Sequence, residues 1–306
     1  MAGRRILSGA YGIVLTPFDE HGGVDYMLFA KYVEKAVNTP LSGLVVCGST
    51  GEFTRLSFQE NCVLMKIASE VIKGKKQLIC GATGSDSYQA NKYMEFMADL
   101  NADGALIAPP YYFPLSDGEI ISYYTDIAKN NSGNVPIVGY NIPQCTNKIS
   151  IPVFEELLKL DAVRGFKNSW NDMQEITSEI ALRNERRPDV SMLTGLDACL
   201  YGTLALGGDG LFTAIAYLLP EVMCFIIQNF GKSYKAFQVQ CELIKLINVV
   251  NRFGFPLGYR VLSDAAGMPL GDGREVFSPV LKSGMEAAKE EMKGIIKKLY
   301  MYIEMV

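Results

Sequence analysis

A closed (β/α)8 (TIM) barrel with a C-terminal helical extension is the fold this sequence predicts, on three observations. Short apolar runs alternate with longer stretches of helical period, eight times over. The runs are apolar throughout rather than at every second residue, as parallel strands covered on both faces must be. The first run leads into Leu15-Thr16-Pro17-Phe18 and not a G-x-G-x-x-G turn, which argues against an open, doubly wound dinucleotide fold. Alternation on this scale means parallel βα units, and eight of them suffice to close a barrel.

The strand runs are 12–16, 43–47, 77–81, 104–108, 136–140, 163–167, 190–194 and 210–214. Helical period is read over 25–37, 57–72, 86–100, 117–129, 151–160, 172–183 and 197–206, with an eighth helix starting near Pro220. Several starts are capped: Ser57-Phe58-Gln59-Glu60 has the spacing of a capping box, and Asp25, Asp86, Ser116 and Asp172 each precede apolar periodicity. Past residue 231 the pattern is helical only. Amphipathic stretches at 232–250 and 286–302 flank a Gly/Pro-rich segment, 254–273. The expected organisation is therefore a barrel over 1–231 that carries the site, and a helical extension over 232–306.

Composition narrows the function. The chain has 306 residues, 49% of them hydrophobic, with a net charge of −4 and no basic stripe, so nucleic acid is not an expected partner. No apolar run approaches the ~20 residues of a bilayer span, and Met1-Ala2-Gly3-Arg4-Arg5-Ile6 lacks the apolar stretch of a signal peptide. Seven cysteines are scattered, mostly in apolar runs and with no C-x-x-C pair, which reads as reduced thiols in a cytoplasmic protein without a zinc site. The single histidine, His21, lies in the turn-like Asp19-Glu20-His21-Gly22-Gly23. Histidine-based triads and metal sites are thereby set aside, and an enzyme built from this chain works with Lys, Tyr, Ser/Thr or carboxylates.

Active sites of such barrels lie at the C-terminal ends of the strands. There stand Gly48-Ser49-Thr50-Gly51-Glu52 after strand 2, Tyr111-Tyr112 after strand 4 and Tyr140-Asn141-Ile142-Pro143 at strand 5. Lys167-Asn168-Ser169 follow at strand 6, Gly195-Leu196-Asp197 after strand 7, and Thr213 at strand 8. Lys167 is the odd residue, a lysine in Val163-Arg164-Gly165-Phe166-Lys167-Asn168, a strand otherwise suited to burial. It is either a strand-end lysine reaching to solvent or a buried amine beside phenols and hydroxyls. An amine taken out of water loses its proton more readily and can attack a carbonyl, which is what Schiff-base catalysis requires. The Gly48–Glu52 turn offers hydroxyls and amides to an anion, or is an ordinary capped turn. Tyr140 is a rim aromatic or a proton carrier, and Asp197 a helix cap or a ligand for hydroxyls.

Taken together, Gly48-Ser49-Thr50-Gly51-Glu52, Tyr111-Tyr112, Tyr140-Asn141-Ile142-Pro143, Gly165-Phe166-Lys167 and Gly195-Leu196-Asp197-Ala198 resemble the pyruvate-dependent class I aldolase superfamily, that of dihydrodipicolinate synthase and N-acetylneuraminate lyase. The resemblance implies that Lys167 forms an imine with pyruvate or a longer 2-keto acid, with no metal or organic cofactor. It implies that Ser49 and Thr50 hold the carboxylate, that Tyr140 moves the proton of the aldol oxygen, and that Tyr112 enters the site of a neighbouring subunit, Ser49 bridging the two phenols. A homo-oligomer, a dimer of dimers, is the assembly it implies.

The second substrate is set by other positions. Synthases carry an arginine five residues after the site tyrosine, and Cys145 stands there, unable to make a bidentate pair with a carboxylate. Ser49, Ser169 and Asp197 are lyase-like, whereas Ala198 and Ala214 replace polar residues of sialic acid lyases. With Gly195 and Thr213, these complete the candidate substrate-binding set. Three activities fit: an aldol lyase acting on an N-acetylneuraminate-like or 2-keto-3-deoxy sugar acid; the condensing synthase or a keto-deoxy-sugar-acid dehydratase on the same lysine; and a keto-acid-binding relative without turnover.

Overall fold

The computed structural model describes residues 5–304. Its eight strands are β1 Gly9–Ile13, β2 Gly43–Val46, β3 Gln77–Gly81, β4 Gly104–Ile107, β5 Ile137–Asn141, β6 Val163–Asn168, β7 Ser191–Thr194 and β8 Gly210–Thr213. They follow one another in sequence order around a closed barrel of parallel strands. Nearly every strand residue is buried, which is why the runs carry no polar–apolar alternation. By contact density the described chain forms two compact units, one of 5–9 with Gln77–Phe212, the other of Ala10–Lys76 with 213–304.

In the first unit the helices are α3 Ser87–Asp99, α4 Asp117–Asn130, α5 Ile151–Leu157, α6 Met173–Arg186 and α7 Leu200–Ala205. Asp86, Ser116 and Asp172 cap α3, α4 and α6 as expected, and Ser116 with Glu119 closes a full capping box. Where one helix is expected over 197–206, the chain instead makes a 3-10 turn at Asp197–Cys199 before α7. A register shift at Ile137/Val138 adds a residue to β6, after which Gly139 pairs with Phe166, Tyr140 with Lys167 and Asn141 with Asn168. The opposite end of this unit is bolted by Arg183, fully buried, whose guanidinium donates to Asp209 and to the carbonyls of Val190 and Gly207.

The second unit holds α1 Tyr26–Val37 and α2 Phe58–Ile72, capped by Asp25 and by the Ser57–Glu60 box. It also holds α8 Ala214–Leu218, α9 Pro220–Asn229, α10 Tyr234–Val250, α11 Leu257–Ala265 and α12 Pro279–Glu304. Four expectations are corrected here. β1 begins at Gly9 and leaves Thr16 beyond the strand; Gly9 and Ala10 are poor strand formers, yet Ala10 and Tyr11 are buried. A short helix, α8, precedes the one at Pro220. The Gly/Pro-rich 254–273 contains α11, whose Leu257, Val261 and Leu262 are buried. Gly258 sits inside α11 because a Cβ there would lie 2.1 Å from the Val250 carbonyl oxygen, so the glycine permits close packing on α10 instead of breaking the helix. The last helix, α12, begins at Pro279, ahead of the expected 286. Met1 to Arg4, the start of the basic segment read for a leader, lie outside the described residues.

Candidate active site

In the first unit, β5 and β6 end side by side with Tyr140 and Lys167 as register partners, so both side chains leave the same face of the sheet. Lys167 is 2% and Tyr140 3% exposed. The amine does not reach solvent. Its Nζ lies 4.1 Å from the centroid of the Tyr140 ring, and among the described residues no carboxylate pairs with it. Ser169, also buried, donates its hydroxyl to Tyr140 Oη at 3.4 Å, while its amide donates to the Asn141 carbonyl at 2.8 Å.

Gly195, just past β7, closes the group. A Cβ at this position would stand 2.4 Å from Lys167 Cε and 2.0 Å from Ser169 Oγ, inside both. The absence of a side chain is what lets the lysine and the serine occupy this space. The Gly195 amide donates to the Asn168 carbonyl at 2.7 Å, tying the loop to the residue after the lysine.

The remaining candidates of this unit fall into two groups. Asp197 is buried and opens the 3-10 turn, whose N-cap is Leu196 with no side-chain bond, so the helix-cap alternative for Asp197 is overturned. Burial, with a smaller push from the Asp197 charge, raises the Cys199 thiol above the ordinary cysteine range. Cys145 is exposed on the loop after β5. Tyr112 is not gathered at the lysine: it is 89% exposed, holds φ at 77°, and packs edge-on against Phe113 at 5.0 Å.

In the second unit, Ser49-Thr50-Gly51 form a 3-10 turn between two residues with positive φ, Cys47 and Glu52. Thr50 is buried and Ser49 half-buried. Thr16 donates its hydroxyl to the Gly51 carbonyl at 2.6 Å. Glu52 is buried between Arg55 and Arg260, with Arg260 Nη1 at 2.7 Å, and Arg55 also pairs with Glu275. Arg260, 5% exposed, further donates to the carbonyls of Thr16, Leu270 and Gly271. This cation holds the C-terminal end of the turn, through Glu52 and through Thr16, whose hydroxyl binds Gly51. Replacing Arg260 by leucine is expected to destabilise the protein by about 3–5 kcal/mol, because Glu52 loses its better-buried partner and three carbonyls lose a donor. The urea and thermal midpoints measure this, and a loss under about 1 kcal/mol would contradict it. Thr213 is a helix cap, accepting the Ala216 amide at 3.1 Å.

Sequence reasoning missed a polar layer just outside the lysine. Asn168 donates Nδ2 to Glu179 Oε2 at 2.7 Å, and Asn141 donates to Glu175 Oε1 at 3.3 Å. Burial lifts the Glu179 carboxyl to about 8 and the nearby Glu175 charge adds to this, against the pull of the Asn168 amide and of Lys148. The signal was present: Glu179 occupies an inward position of α6 between Ile176 and Ile180, where a core helix carries an apolar residue.

Comparison with known proteins finds relatives of this chain. The model of the dihydrodipicolinate synthetase family matches residues 6–299. An uncharacterized DapA-like lyase of Thermococcus kodakarensis is 29% identical over 247 residues, which cover 79% of this chain and 84% of that protein. Among solved structures, the 4-hydroxy-tetrahydrodipicolinate synthase from Methylacidiphilum fumariolicum SolV matches with a TM-score of 0.87 at 21% identity, covering 97% of this chain and 99% of its own. A catalytic lysine mutant of Ruminococcus gnavus sialic acid aldolase also gives a TM-score of 0.87, at 20% identity, over 98% and 100% of the two chains. At these identities the two structures speak for the fold, the (β/α)8 barrel.

Proposed function

The chain belongs to the dihydrodipicolinate synthetase family, and on that premise we propose that it is a Schiff-base aldol lyase that cleaves a 2-keto acid reversibly to pyruvate and an aldehyde. The observation that carries this reading is Lys167, an amine buried against the face of Tyr140 with no carboxylate among the described residues to hold it as a structural ion pair. A solvent-seeking lysine would not be 2% exposed, and a structural one would have a counterion. The naming of a catalytic lysine in the sialic acid aldolase supports the same role.

In this mechanism Lys167 Nζ adds to the C2 carbonyl of the keto acid, and loss of water gives a protonated imine. Tyr140 takes the proton of the C4 hydroxyl as the C3–C4 bond breaks, and the bonding pair passes into the imine to form an enamine. Tyr140 returns that proton to C3, and addition of water to the resulting imine releases pyruvate and returns the free amine. Ser49 and Thr50 are assigned the substrate carboxylate, and Ser169 keeps the Tyr140 phenol oriented. Gly195 leaves the space the reacting lysine needs, and Asp197 is assigned to the hydroxyls of the aldehyde portion. Apart from the water of hydrolysis, every group assigned in this sequence of steps is a residue of the chain.

The aldehyde is drawn from sugars in the leading reading, an N-acetylneuraminate-like or 2-keto-3-deoxy sugar acid, because exposed Cys145 gives no cation for a second carboxylate. Condensation with aspartate semialdehyde is the alternative, favoured by the synthase among the structural matches. Tyr112, exposed beside Phe113, is assigned to the site of a second copy in a homo-oligomer. Among the described residues the seven cysteines form no disulfide, and five of them are buried, in keeping with the proposed cytoplasmic location. Among the described residues no helix is long and apolar enough to cross a membrane.

Two assays test this. Borohydride with pyruvate should add one covalent adduct at Lys167 by mass spectrometry, and an unmodified protein would end the imine reading. A screen of pyruvate against aldoses, N-acetylhexosamines and aspartate semialdehyde then decides the acceptor. Gly195→Ala is expected to slow adduct formation by about a hundredfold in a folded protein, since its methyl group displaces Lys167 Cε. Unchanged trapping would show that Lys167 does not need its present position.

A further inference from the structure

We infer that Asn141 and Asn168, gripped by Glu175 and Glu179 of α6, form a brace that positions Tyr140 and Lys167 for reaction; this rests on the Schiff-base role of Lys167 proposed above. Side chains alternate along a strand, so the residues following Tyr140 and Lys167 turn to the opposite face, toward α6. They are register partners of each other as their predecessors are, and Asn168 also pairs with Thr194. One pair therefore stands immediately behind the other.

The two carboxylates lie one helical turn apart on α6, on the same side, which matches the separation of adjacent strands. Each asparagine is held at both ends of its amide. Asn168 Oδ1 accepts from the Trp170 amide at 2.7 Å while Nδ2 donates to Glu179, and Asn141 Oδ1 accepts from the Ile149 amide at 3.1 Å while Nδ2 donates to Glu175. Lys148 completes the outer end, pairing with Glu175 at 2.5 Å.

A brace of this form fixes what the sheet ladder leaves free. Lys167 is the penultimate residue of β6, next to a loop, and ladder bonds weaken at a strand end. The Asn168–Glu179 bond ties that end to the middle of a helix, with Glu179 itself 2% exposed. Glutamate in this place has no packing advantage over leucine, and its carboxyl is desolvated. Its gain is the bond to the residue beside the lysine. Among the described residues the glutamates bond to Asn141, Asn168 and Lys148 and to neither the lysine nor the tyrosine, so both are positioning residues.

The test compares Glu179→Leu, which removes the acceptor at similar volume, with Glu179→Gln, which keeps an acceptor oxygen for Asn168. Borohydride trapping of pyruvate is followed over time and across pyruvate concentration, with circular dichroism confirming the fold. Glu179→Leu is expected to lower the limiting trapping rate about ten- to hundredfold with the half-saturating pyruvate concentration within about twofold of the wild type. Glu179→Gln is expected to stay within about twofold in both. A folded Glu179→Leu that traps like the wild type, or a Glu179→Gln as slow as the leucine variant, overturns the brace. Should Glu179→Leu fail to fold, Glu175→Leu, at a half-buried position, is read by turnover at saturating substrate: a fall with trapping preserved supports the brace on the Tyr140 side, and no fall overturns it. Wild-type protein that fails to trap pyruvate at all overturns the Schiff-base reading instead, a result distinct from any variant's.

Discussion

Replacing Lys167 by alanine is expected to abolish the borohydride-trapped pyruvate adduct and to lower turnover by about 10⁴-fold or more. The size follows from what is removed. Without the amine no covalent imine forms, and the electrons of the breaking carbon–carbon bond have no acceptor. The other polar groups can bind a keto acid but cannot substitute for that sink. The fold is expected to survive, since Lys167 makes no ion pair among the described residues and its main loss is the contact with the Tyr140 ring, about 1–2 kcal/mol. Circular dichroism and a thermal melt separate loss of chemistry from loss of structure. Retention of the adduct, on another lysine, would move the imine elsewhere and end the assignment.

The barrel was legible because its signals are local and repeated. Continuous apolar runs, capped helices and strict alternation each require only neighbouring residues, and the capping boxes at Ser57 and Ser116 appear where the sequence puts them or their first residue. Lys167 was legible for the opposite reason, as a residue that contradicts its surroundings. Burial confirms the contradiction and removes the solvent-reaching alternative.

What stayed hidden depends on contacts between distant parts of the chain. Glycine and proline at Gly254, Pro256 and Gly258 read as breakers, yet Gly258 is the point at which α11 lies against Val250. Nothing in local spacing marks Arg260 as the cation for Glu52, far apart in sequence. Asp197 looked like a cap because it precedes a helical run, but the 3-10 turn starts on it and leaves its side chain out of the capping role. Asn141 and Asn168 seemed only to trail two conspicuous residues, although their register and the α6 carboxylates give them partners. In each case the missing information was which side chains meet, not which secondary structure forms.

Tyr140→Phe is expected to leave imine formation intact while turnover falls by about 10²–10⁴-fold, the usual cost of a lost acid–base group. The substitution is informative because of how the two residues meet. Lys167 Nζ sits over the ring, 4.1 Å from its centroid, and phenylalanine retains that ring, its packing and most of its attraction for a cation. Only the phenol oxygen and its bond from Ser169 are lost, at 3.4 Å a long one, so stability should change by no more than about 1 kcal/mol. Trapping with pyruvate needs no proton transfer at the aldol oxygen, whereas cleavage does. An adduct that forms normally beside slow cleavage therefore assigns the proton to Tyr140. Equal turnover in both proteins would leave Tyr140 as a packing aromatic and send the search for the proton carrier to Ser169, the hydroxyl already in contact with it. A loss of trapping as large as the loss of cleavage would mean that the phenol acts earlier, in forming the imine itself.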